Sequence, residues 1–160
     1  MSDLTPKSPA DSYTEMVQVV LPNDANPLGF ILGGTVMHLI DIAGAIACHR
    51  HTRTLLVTAA VDDLQFLHPI KVGDLIILKA RVTCTFTTSL EVQVDVYSEE
   101  TLTGARRQTS QAFLTFVAIS QNGERVPVPP LIVETEDERR VCEEAHARRA
   151  ERLRKKMRSS

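Results

Sequence analysis

LGGTVMHLIDIAGAIACHRH, residues 32–51, decides the fold. Apolar residues fall at Leu32, Val36, Leu39, Ile40, Ala43, Ile46 and Ala47, the rhythm of one helical face. Ile42 and Ala45 make the other side apolar too, so the spacing predicts a helix buried within the molecule. Gly33, Gly34 and Gly44 lie in this stretch. A mid-helix glycine costs about 0.5–1 kcal/mol relative to alanine. Its usual return is close approach by another backbone, so something should wrap tightly around this helix.

The segments that follow read as the wrapping. In LIILKARVTCTF (75–86) the even positions Ile76, Leu78, Ala80, Val82, Cys84 and Phe86 are apolar, while Lys79, Arg81, Thr83 and Thr85 are polar. LEVQVDVY (90–97) alternates in the same way. Period-2 alternation of this length marks antiparallel strands with one wet face. The short link Thr87–Ser89 joins them as a hairpin. Thr54–Val61 and Gln111–Ile119 are apolar on both faces and are expected as central strands. A short strand over Tyr13–Leu21 precedes the turn-forming PNDANPLG (22–29), and Thr101–Ala105 forms another turn. The economical assembly is α+β: a long antiparallel sheet around one Gly-rich helix.

Outside this core, residues 1–12 are rich in Ser, Pro and Asp and are expected as a mobile leader. The core domain then runs over 13–133, and a charged helix fills 134–160. PVPPLIV forces an extended crossing into that helix. Thr135 followed by Glu138 has the spacing of a capping box.

The 160 residues suit one domain. The chain carries 18 basic and 20 acidic residues, a net charge of −2, which excludes a global footprint for nucleic acid. Aromatics are 4% with no Trp, too few for base-stacking platforms. Charge is nevertheless uneven, because residues 134–160 hold nine of the basic side chains. RRAERLRKKMR (148–158) reads as a solvated helix face, with phosphate binding as its functional alternative. Cys48, Cys84 and Cys142 are odd in number and scattered, which makes neither a disulfide framework nor a zinc site. No secretory signal and no membrane span is readable, and a reduced, cytoplasmic compartment is expected.

Asp41 is the sharpest chemical oddity, a carboxylate flanked by apolar residues in the buried helix. Such a group must be hydrogen-bonded, paired or facing a cavity. It is either a structural aspartate tied to a neighbouring strand or a base or nucleophile in a pocket. Asn26 in the preceding loop is a second candidate, with an ordinary turn asparagine as the plain alternative. The helix start at Gly33, Gly34 and Thr35 is a third, because its backbone N–H groups can receive an anion or oxyanion. Gly34 and Asp41 lie about 10 Å apart along a helix at 1.5 Å per residue. One helix therefore cannot bring both to one carbonyl. A functional reading requires a second chain and two composite sites.

His49 and His51 point about 200° apart on a helix and cannot share a metal there. No metal site is expected. His38 near the helix start is read as a core or surface histidine, with lining of the pocket as its alternative, and His68 before Pro69 is read as structural. Arg106 and Arg107, at a strand start, are phosphate candidates.

The blocks DANPLGFILGGTVMHLIDIAGAIA, VTAAVDDLQFLHPIKVGD, FTTSLEVQVDVYSE, AFLTFVAI and PVPPLIVETEDERR occur in this order over roughly residues 13–157. Together they resemble the hotdog-fold acyl-CoA thioesterases, in particular the cytosolic acyl-CoA hydrolase branch. The resemblance implies a hotdog fold and hydrolysis of acyl-CoA to fatty acid and free CoA, with no separate cofactor. It implies an Asn/Asp pair supplied by different subunits, carried here by Asn26 and Asp41, and dimers assembled into tetramers or hexamers. The hairpin turn FTTSL departs from relatives that have a Gly or basic residue before Thr-Ser, which bears on CoA contacts at Thr88 and Ser89. Two other activities remain open: an acyl-CoA dehydratase or hydratase on the same fold, and a non-catalytic acyl-CoA sensor.

Overall fold

In the computed structural model, which describes residues 3–159, the strand alternation becomes one five-stranded antiparallel sheet. The strands are β1 (Thr14–Val19), β2 (Leu55–Phe66), β3 (Leu75–Thr85), β4 (Ser89–Glu99) and β5 (Arg106–Ile119), ordered β1-β3-β4-β5-β2. The helices are α1 (Pro9–Ser12), α2 (Gly33–Thr52) and α3 (Glu136–Ser159). The sheet curls around α2 as the expected α+β hotdog. Val36, Leu39, Ile40, Ala43 and Ala47 of α2 share one buried core with Leu78, Val92, Val94, Leu114 and Phe116 of the sheet.

Gly44 shows why the helix carries glycine. A Cβ there would lie 3.1 Å from Val92 and 3.3 Å from Phe116, so strand side chains fill the space that any larger residue would need. At Gly34 a Cβ would meet nothing within 4 Å, so packing within one chain does not explain that glycine.

Three expectations need correcting. Thr54–Val61 is not central: among the described residues β2 pairs only with β5 and closes the sheet as an edge. Its apolar side chains stay open, with Leu55, Val57 and Phe66 about half exposed. Apolarity on both faces signals burial, but not which chain supplies the cover. The leader is tied down over its described part, since Lys7 N–H donates to Pro130 and Ile132 N–H donates to Lys7. Residues 1 and 2 lie outside the described residues.

The third correction concerns the cysteines. The register of β3 on β4 shifts between Val82 and Cys84. A one-residue slip flips every later side chain to the other face. Cys84 therefore sits opposite Glu91 on the outer face, beneath α3, where a disulfide joins it to Cys142.

α3 starts at the expected capping box, with Glu138 N–H donating to Thr135 Oγ1 and Thr135 N–H to Glu138 Oε1. The basic run after it is not simply solvated. Arg148 donates from Nε and Nη2 to the two oxygens of the buried Glu91 carboxylate at 2.9 Å, and its Cζ lies 3.7 Å from the Phe113 ring centroid. Arg152 reaches Asp62 on β2. Among the described residues, no helix is long and apolar enough to cross a membrane.

Candidate active site

Asn26 shapes the loop that leads into α2. Its Oδ1 accepts N–H bonds from Leu28 (3.0 Å) and Phe30 (3.2 Å), and its own N–H donates to Phe30 O. The oxygen being committed, the side-chain Nδ2 amide is the group left to donate outward. The loop delivers the chain to Leu32, whose N–H donates to Asp24 O. Leu32 caps α2 without a side-chain acceptor. The first backbone N–H groups of α2, at Gly33, Gly34 and Thr35, therefore meet no cap. Gly33 and Gly34 are exposed.

Asn26 and Gly33 line a cavity of about 290 Å³, together with Phe66, His68 and Ser110. His68 was read as structural from its place before Pro69; the structure puts it in this wall. The Phe66 ring lies 3.6 Å from where a Gly33 Cβ would be, so the end of β2 abuts the helix start.

Asp41 lies two turns further along α2, half-buried, in a second cavity of about 210 Å³. Met37, Ile40, Val61, Leu64 and Leu114 give that cavity an apolar wall. The Thr58 hydroxyl of β2 donates to Asp41 Oδ1 at 2.7 Å. This satisfies one carboxylate oxygen and leaves the other available. Thr58 escaped the sequence reading, because a threonine in a strand carries no local signal of its partner. The two cavities share no wall residue, so one chain does not bring Asp41 to Asn26 and the helix start.

The remaining candidates lie elsewhere. Thr88 and Ser89 sit at the β3–β4 hairpin, half-buried, with Ser89 paired to Val117. Ser110 of the Asn26 cavity lies seven residues before Val117 on β5, about 23 Å away at 3.3 Å per residue. Arg106 is exposed and bound to Glu99 at 2.8 Å, which raises its pKa. Arg107, also exposed, follows it at the start of β5, three residues from Ser110. His49 Nδ1 lies 2.9 Å from Thr54 O, whereas the buried His51 meets Pro129 O through Nε2 at 2.7 Å. His38 is exposed and lines neither cavity.

Comparison with known proteins places this geometry in context. Residues 28–105 match the family model of the Thioesterase superfamily. An uncharacterized acyl-CoA thioester hydrolase of Bacillus subtilis, YkhA, is 41% identical over 140 residues, covering 88% of this chain and 81% of that protein. The human cytosolic acyl coenzyme A thioester hydrolase is 35% identical over 145 residues, covering 89% of this chain. The chain spans only 38% of that relative's length. A crystal structure of an apo-hexameric acyl-CoA thioesterase superposes with a TM-score of 0.89 at 39% identity, covering 94% of this chain and 97% of that one.

An acyl-CoA hydrolase of Staphylococcus aureus, solved with butyryl coenzyme A, coenzyme A and coenzyme A disulfide, gives a TM-score of 0.87 at 31% identity. It covers 96% of this chain and 93% of that one. Alanine variants of that enzyme have been solved at an asparagine, an aspartate and a threonine, spaced 15 and then 17 residues apart along its chain.

Proposed function

The chain belongs to the acyl-CoA hydrolases of the thioesterase superfamily, and from that premise we propose that it cleaves the thioester of acyl-CoA in a site shared by two copies. The observation that carries the proposal is the Thr58–Asp41 hydrogen bond at an apolar cavity, in a chain whose helix start and Asn26 open into a different cavity. Asn26, Asp41 and Thr58 follow one another at intervals of 15 and 17 residues, the spacing of the substituted positions in the S. aureus enzyme.

The unpartnered β2 edge supplies the join. Two β2 strands pairing antiparallel over Leu55–Phe66 lay the Thr58 half of one copy against the Phe66 half of the other. Asp41 follows Thr58, and Gly33 follows Phe66. Each Asp41 then faces the helix start and Asn26 loop of the other copy. Such a dimer has two equivalent sites.

In each site the thioester oxygen sits at the N-terminus of α2. The Gly34 N–H, with no side chain to obstruct it, stabilises the developing oxyanion. Asn26 Nδ2 donates to the carbonyl or to the attacking water. Asp41 of the other copy, steadied by Thr58 on one oxygen, takes the proton of water or attacks directly. The chemistry uses these groups and water, and coenzyme A enters as part of the substrate.

For the CoA portion, Arg107 is the better phosphate ligand of its pair, because Arg106 already holds Glu99. Thr88 and Ser89 lie at the opposite end of the sheet from their own Asn26. The same antiparallel pairing carries them toward the Asn26 end of the other copy. Further assembly of dimers, as in the hexameric neighbour, and a cytosolic setting, as in the human relative's name, complete the reading.

A free-thiol assay over a panel of acyl-CoAs tests it. Thiol release that is lost in folded Asp41→Ala and Asn26→Ala variants is the expected result. No release at any chain length would overturn the proposal, and conversion of enoyl-CoA without thiol release would replace it with a hydratase.

A further inference from the structure

Beneath α3, outside the candidate active site, three side chains converge. Cys84 of β3, Cys142 of α3 and His146, one helical turn further on, bring a sulfur or ring nitrogen within 4.8 Å of one another. Cys84 and Cys142 are joined as a disulfide, while Cys48 stays free and buried in the core. Cys84 is fully buried, Cys142 half-buried and His146 exposed. The His146 ring stands edge-on to Phe86, 4.9 Å between centroids.

We propose that Cys84–Cys142 is a reversible oxidation site that fastens α3 to the sheet. The attachment of this helix makes the bond matter. Ala145 is the one buried residue among those described in α3. Apolar burial, the usual source of helix docking, therefore holds it weakly. The non-covalent ties are polar: Arg148 on Glu91 and Phe113, and Arg152 on Asp62. The disulfide adds a covalent tie between residues 58 apart in sequence. Opening it leaves the helix on these ion pairs, the ring contacts of His146 and Arg149 with Phe86, and the burial of Ala145.

The exposure of the two sulfurs sets the chemistry. Cys142 is half-buried and Cys84 fully buried, so in this proposal Cys142 Sγ is the sulfur that a thiolate from solvent attacks. On that attack the Cys84–Cys142 bond breaks, and Cys84 leaves as a thiolate that takes up a proton. A second thiolate attacks the external sulfur of the mixed disulfide. This frees Cys142, which is protonated in turn, and releases a small-molecule disulfide. Two electrons and two protons pass to the protein, and the reverse reaction with a small-molecule disulfide re-forms the bond. The His146 imidazole lies within 4.8 Å of both sulfurs, on the open side of the bond. In thiol-rich surroundings such bonds form transiently and report oxidation.

The test uses the full-length chain equilibrated with reduced or oxidised dithiothreitol, then alkylated in denaturant to count thiols. One free thiol after oxidation and three after reduction are expected. Tryptic cleavage within residues 136–159 is followed in parallel on the native protein. It should accelerate roughly tenfold on reduction, because the freed helix opens more often. Cys142→Ser should cleave at the fast rate under both conditions, and the wild type in its two redox states carries the test if that variant folds poorly. Three free thiols after oxidation, or equal cleavage in both states, would overturn the proposal. A reduced protein that retains stoichiometric zinc through dialysis and resists oxidation would also overturn it and assign the three side chains to a metal.

Discussion

The hydroxyl of Thr58 on the edge strand β2 donates a 2.7 Å hydrogen bond to Oδ1 of Asp41 on the central helix α2. It links the two elements that the proposed dimer would cover. If Thr58 orients the carboxylate, Thr58→Val should lower kcat by roughly 10–100-fold while KM moves little, since the bond matters most as the proton transfers. Valine has the shape of threonine, so the unfolding free energy in urea should fall by no more than the worth of one hydrogen bond, about 0.5–1.5 kcal/mol. A variant with unaltered kcat would show the bond to be structural only.

Gly44 tests the wrapping of the sheet. With Val92 and Phe116 already at 3.1 and 3.3 Å from a hypothetical Cβ, Gly44→Leu has no room. Overpacking of this kind costs about 1–3 kcal/mol or more. Urea denaturation should show that loss, and a variant as stable as the wild type would contradict the close approach.

Much of this architecture was legible in the sequence where the signal was local. The α2 periodicity, the β3–β4 alternation and the Thr135/Glu138 capping box each lie within one element, and each was found where expected. The failures involve distant partners. The apolar run at Thr54–Val61 predicts a central strand, yet β2 lies at the sheet edge with Leu55, Val57 and Val61 open, because apolarity does not encode strand order. Alternation puts Cys84 on the core face, because it does not reveal the register shift between Val82 and Cys84. Thr58 and Arg148 carry no sequence mark at all, since their partners Asp41 and Glu91 lie 17 and 57 residues away.

Glu91 is buried, and its counter-charge comes from Arg148. Arg148→Ala leaves that carboxylate with the Thr83 hydroxyl as its remaining side-chain partner. Breaking one half of a buried pair costs about 3–5 kcal/mol. We expect a large fall in the unfolding midpoint, substantially recovered by adding Glu91→Met. Failure of the second substitution to recover stability would assign the loss to the Phe113 contact.

His51 predicts a pH dependence. It is buried, and Nε2 donates to Pro129 O. Among the described residues its Nδ1 has no hydrogen-bond partner. Burial lowers its pKa below the ordinary 6.5. The unfolded chain then binds the extra proton first, so stability is complete above about pH 6.5 and falls as the pH drops below it. Urea midpoints at pH 7.5 and 5.5 should show this fall, and His51→Gln should flatten it. An equal slope in both proteins would remove His51 as the cause.

The central claim is that each active site draws Asn26 and the α2 start from one copy and Asp41 from another. Mixing the two inactive variants measures it directly. Asn26→Ala and Asp41→Ala are unfolded together, refolded at equal concentration and assayed for thiol release. Random pairing makes half of the dimers mixed, each with one intact site, so activity should recover to about one quarter of wild type. Activity that stays at the level of the separate variants, with mixed dimers demonstrably formed, would contradict a shared site.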